Sequence, residues 1–68
     1  MTGNEAHKLR TTRGENQTQF WRRVGVTQSG GCRYERGRNV PEAVSRLLKL
    51  VYLPEGQATK YLQQLRRK

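Results

Sequence analysis

Apolar residues recur along this chain at three- and four-residue steps, and no stretch shows sustained alternation, so the pattern predicts helices. Ala6, Leu9, Arg10 and Arg13 form a first, weakly apolar stripe that Gly14 ends. Asn16 is a good N-cap with Gln19 as its capping-box partner, and Gln17, Phe20, Trp21 and Val24 share one face of the helix that follows. Gly25 stops that helix and Thr27 caps a third segment, residues 28–36. Gly30 and Gly31 lie inside this segment, each costing ~0.8–1 kcal/mol against Ala, so it is helical only if its neighbours hold it. Ser29, Cys32, Arg33 and Arg36 occupy one of its faces, with Gly31, Tyr34 and Glu35 on the other. Gly37 closes it, and Pro41 suits the first turn of a fourth helix striped by Val44, Leu47, Leu48 and Val51. Pro54 and Gly56 break that run before a last stripe of Ala58, Tyr61, Leu62 and Leu65.

Five short helices with short connections predict a compact all-α domain over residues 1–68, with loose ends at about 1–4 and 66–68. Its expected core is Phe20, Trp21, Val24, Tyr34, Leu47, Leu48, Val51, Leu62 and Leu65. A chain of 68 residues buries only ~60% of its unfolded surface, which leaves little room for an enclosed substrate cavity.

Charge changes the picture more than size does. Fourteen Lys and Arg face five Asp and Glu, a formal net charge of +9 that attracts polyanions. The single cysteine, Cys32, has no partner for a disulfide or a multi-cysteine metal site. His7 lacks both a ligand cluster and a nucleophile partner, and the carboxylates are scattered, so no enzyme, metal or cofactor is expected. A polar start and the lack of any apolar run near ~20 residues give the expectation of a cytoplasmic chain with no membrane partner.

Residues 16–41 read NQTQFWRRVGVTQSGGCRYERGRNVP. Gln17, then Gly25, Val26 and Thr27, then Tyr34, Glu35, Arg36 and Gly37, and finally Pro41 stand in the register of a helix-turn-helix over about 17–36. Together they resemble the lambda repressor and Cro-like (XRE) family, a resemblance that runs from about Leu9 to Leu48. It implies a five-helix lambda repressor-like domain, a prokaryotic or phage-type setting, and a transcriptional regulator, most often a repressor. The small contact area of one such module on double-stranded DNA favours a two-fold homodimer; the resemblance implies the fourth or fifth helix as its surface, where Leu53 and Tyr61 are candidates because their neighbours leave them partly exposed.

The recognition helix of such a motif enters the major groove by its N-terminal end. That makes Gln28 and Ser29 the expected base readers, with Cys32 and Arg33 one turn further along the groove. The planar amide of Gln28 matches the N6/N7 edge of adenine, and Arg33 suits guanine or a phosphate. The resemblance implies phosphate contacts from Gln17, which also braces Gln28, and from Arg36 and Asn39. Charge alone adds Arg22, Arg23 and Arg38. Arg10 on an apolar face needs a partner, and the resemblance implies a partly buried salt bridge to Glu35.

Two positions depart from the family's pattern. Trp21 stands where a small residue is usual, and Gly31 where an apolar side chain is usual. We expect one to fill the space left by the other. The alternative reading is a protein-interaction module on the same fold, such as an antitoxin, anti-repressor or adaptor. Two glycines in the recognition helix favour it, and the net charge opposes it.

Overall fold

The computed structural model describes residues 1–67. Five helices follow one another: α1 (Gly3–Thr12), α2 (Gln17–Arg22), α3 (Gln28–Glu35), α4 (Glu42–Tyr52) and α5 (Glu55–Arg66). No strand occurs among the described residues.

Local chemistry sets most boundaries. Asn16 and Gln19 form the expected capping box, and the Thr27 side chain accepts from the amide of Gly30. Gly25 and Gly37 turn the chain at φ of +76° and +116°, where a Cβ is strained. Pro41 and Pro54 stand just outside α4 and α5 as N-caps rather than within the helices. Gly56 lies in the first turn of α5.

The N-terminus departs from expectation. Residues 1–4 are not a loose end. Thr2 caps α1 and closes a capping box with Glu5, Gly3 is buried, and the Met1 amino group bonds the Ser45 hydroxyl. The Thr-x-x-Glu spacing at Thr2 carries this signal in the sequence. At the other end Arg66 is the last residue of α5, and Lys68 lies outside the described residues.

The core is Ala6, Phe20, Trp21, Val24, Leu48 and Tyr52. Tyr52 stacks on Phe20 with ring centroids 4.5 Å apart, and its hydroxyl donates to the Phe20 carbonyl at 2.9 Å. Phe20 meets the Trp21 ring edge-on at 5.2 Å. Three residues expected in this core are outside it: Leu47, Val51 and Leu62 are 43%, 45% and 41% exposed. Leu65 and Tyr34 are half-buried. The inward face of α4 is centred on Ser45, Leu48 and Tyr52, one residue round from the apparent stripe, which turns Leu47 and Val51 outward.

Trp21 and Gly31 exchange volume as expected. A Cβ at Gly31 would overlap the indole of Trp21, so α3 sits against the ring by its bare backbone. A second close approach was not foreseen: a Cβ at Gly3 would run into the Tyr34 carbonyl, which seats the start of α1 on the end of α3. Gly31→Val should therefore lower the melting temperature measured by circular dichroism, by more than about 10 °C for a loss on the order of 2 kcal/mol. In a Trp21→Ala background the added cost of Gly31→Val should shrink, because the ring it meets is gone. A Gly31→Val chain as stable as the parent would mean that the indole has room to move.

Candidate nucleic-acid interface

The turn between α2 and α3 is built from main chain. The Trp21 carbonyl accepts from the amides of Val24 and Val26 at 3.1 and 3.0 Å, and Gly25 follows with its positive φ. Val26 packs half-buried against the core, and Thr27 caps α3. The first residues of α3, Gln28 and Ser29, therefore emerge exposed. Gln28 Nε2 donates to Gln17 Oε1 at 3.4 Å, a long bond that places the two amides side by side at the starts of α2 and α3.

The other sequence candidates divide by position. Arg33 is exposed, whereas Cys32 is half-buried. Arg33, Arg38 and Asn39 converge with Gly30, Tyr34 and Pro41 on an open recess of about 210 Å³ beside α3. Arg22, Arg33, Arg36 and Arg38 pair with no carboxylate among the described residues. Arg23 is engaged internally: it pairs with Glu15 and donates to the Tyr52 hydroxyl at 3.3 Å. Its pKa is raised, first by the bond to Tyr52 and then by Glu15.

Glu35 anchors the far end of α3. Arg10 reaches it with Nη2 at 2.9 Å and Nε at 3.0 Å, and Trp21 Nε1 donates to Oε2 at 2.7 Å. His7 Nδ1 lies 2.6 Å from Oε1 and must be the donor there, since a carboxylate only accepts. Only 4% of the Glu35 side chain is exposed. Burial raises its pKa, but the bonds from Arg10, Trp21 and His7 outweigh burial and bring it down to about 2. Sequence reasoning placed Arg10 with Glu35. It missed Trp21 and His7, because neither an indole N–H nor an isolated histidine announces a partner 14 or 28 residues away.

Three of the other four carboxylates are also occupied, the exception being Glu55 at the start of α5. Glu15 binds Arg13 and Arg23, Glu5 closes the α1 cap, and Glu42 pairs with Arg46 one turn along α4. Arg33 on α3, and Arg36 and Arg38 just after it, are thus left without a carboxylate partner among the described residues.

A family model described as the RsaL-like helix-turn-helix domain matches residues 7–51, about two thirds of the chain. The chain belongs to the RsaL-like helix-turn-helix family. No curated protein and no solved structure matches it. The matched family differs in name from the lambda repressor-like one that the motif resembles, while the helix-turn-helix itself is common to both readings. As a member of the RsaL-like family the domain is a DNA-binding one, and its turn falls inside the matched residues. No helix among the described residues is long and apolar enough to cross a membrane.

Glu35→Gln should lower stability, by at most ~3–5 kcal/mol, because part-buried Arg10 is left without its counter-charge. Circular dichroism melts test this, and an unchanged melting point would remove the bridge from the fold's supports. Acid should act on the same group. The unfolded carboxyl takes a proton near its ordinary value of 4.5, and the folded one only near 2. Stability contributed by Glu35 is therefore full above about pH 4.5 and drains as pH falls towards 2. In the Glu35→Gln chain that part of the acid transition should be missing.

Proposed function

We propose that this domain is a sequence-specific transcriptional regulator, acting as a repressor, that reads the major groove with the start of α3. The observation that carries the reading is the exposed pair Gln28 and Ser29, presented by a capped helix directly after the Gly25 turn, with Gln17 beside Gln28. Gln28 takes an adenine edge, Ser29 a neighbouring base, and Arg33 a guanine or a phosphate further along. Cys32, half-buried, contributes less than its exposed neighbours. Gln17, Arg22, Arg36, Arg38 and Asn39 hold the backbone on either side, and Arg23 serves chiefly the packing around Tyr52.

A module this small covers only ~600–1,000 Å² of protein surface on DNA, so two copies on a two-fold operator fit the task. Supporting this, Leu47, Val51 and Leu62 form an exposed apolar strip along the α4 and α5 edge, joined through Leu50. Half-buried Leu53 lines the same recess as Leu50, Val51 and Leu62, so the strip adds to Leu53 and Tyr61 as candidate dimer residues, Tyr61 lying beneath Lys49.

Selection of bound sequences from random duplexes tests the function directly. A two-fold motif supports the reading, and no enriched sequence overturns it. Gln28→Ala should cost ~1–3 kcal/mol at one base position. Arg36→Ala should weaken every sequence alike and reduce the salt slope by about one. Equal losses on selected and random DNA for Gln28→Ala would take it out of the reading role. Leu47→Glu should convert a sedimenting dimer to a monomer, and a wild-type chain that stays monomeric on DNA would remove the two-fold arrangement.

A further inference from the structure

We propose that Trp21 is the positioning residue for base reading: its ring against Gly31 and its N–H on Glu35 fix the height and roll of α3. The inference rests on α3 being the reading helix.

The recognition helix has no fully buried apolar side chain of its own. Its one buried residue is Gly31, and its half-buried Tyr34 leans on the Trp21 ring at 5.5 Å. A helix seated by side chains locks its own knobs into a neighbour's grooves. Here the knob comes from α2. Trp21 is fully buried, its indole fills the place of the missing Gly31 side chain, and its Nε1 holds Glu35 one turn further on. Its carbonyl also ties the turn through Val24 and Val26. One residue thus fixes α3 at its middle and end and ties the turn that leads into it.

The magnitude decides what depends on this. Side-chain tips lie about 5–6 Å from a helix axis, so a roll of about 20° moves them by about 2 Å. A bidentate contact to a base edge does not tolerate that shift, because hydrogen bonds span only about 2.7–3.2 Å. Long arginine side chains on phosphates follow it easily. Loosening Trp21 therefore erodes discrimination between sequences and spares attraction to DNA in general.

The test compares wild type, Trp21→Phe, and a synthetic chain with benzothienylalanine at position 21, which keeps the indole's shape and replaces its N–H by sulfur. Each binds a duplex selected by the wild type and a random duplex of equal length, well below its melting temperature. Both variants should lower the selected-to-random affinity ratio more than threefold and change random-duplex affinity less than twofold. Circular dichroism monitors folding. If Trp21→Phe does not fold, the shape-preserving chain decides. A folded benzothienylalanine chain with the ratio within threefold of wild type overturns the proposal. So does failure of that chain to fold, since the N–H is then needed for folding itself. A wild type with no preference between the duplexes overturns the reading role of α3 as well. A preference that survives in the variant overturns only the positioning role.

Discussion

The carboxylate of Glu35 is where three helices meet. It lies at the end of α3, takes Arg10 and His7 from α1, and takes Trp21 from α2. In a chain of 68 residues the apolar core is small, and α3 contributes a glycine to it where most helices contribute a leucine or valine. Burial of an ionised group is costly, and it is tolerated only because every lone pair that turns inward finds a donor. No buried side-chain polar atom among the described residues lacks a partner. The ionic contact therefore does for α3 what hydrocarbon does elsewhere, and it adds direction, which hydrocarbon does not.

That use of carboxylates also shapes the outer field. Glu15 and Glu35 are turned inward, Glu5 is held in a cap, and Glu42 faces its own arginine. What the surface around α3 shows is then mostly guanidinium. Net charge alone describes a polyanion binder without a binding face. The distribution of partners offers a candidate face, because three of the arginines left over, Arg33, Arg36 and Arg38, lie on α3 and on the loop that follows it. Arg23 illustrates the distinction. By sequence it equals Arg22, yet it is drawn towards Glu15 and Tyr52.

Much of this was legible beforehand, and the reasons are local. Caps at Asn16 and Thr27 and stops at Gly14, Gly25 and Gly37 are encoded within a few residues, and all of them stand as read. The exchange between Trp21 and Gly31 was legible because two departures from one pattern pointed to the same volume. What escaped was of two kinds. The first was phase: the α4 stripe is broad enough that Leu47 and Val51 look as apolar as Leu48, and the polar Ser45 marks the true inward face. The second was distance in sequence. The bond from Tyr52 to Phe20, the seat of Gly3 against Tyr34, and the reach of His7 and the Trp21 N–H to Glu35 join residues that no periodicity connects. The start of α1 is a different matter: its capping box is short-range, but its polar residues fit a loose end equally well.

The polar ties also divide the chain in a way that bears on how it works. Met1 to Ser45, Arg10 to Glu35, Trp21 to Glu35 and Tyr52 to Phe20 all lie within α1 to α4. The family match, over residues 7–51, ends at almost the same place. Helix α5 is beyond it, joined through extended backbone at Leu53 and Pro54, and its residues are all exposed or half-buried. A 12-residue helix is marginal by itself, so α5 depends on the apolar seam it shares with α4. That seam still leaves Leu47, Val51 and Leu62 at the surface. The helix-turn-helix and the polar ties that seat it are therefore complete without α5, and the fifth helix is held only at an edge that is half covered. In the proposed two-fold arrangement, pairing of two copies along this edge would cover the strip and stabilise α5 by the same contacts.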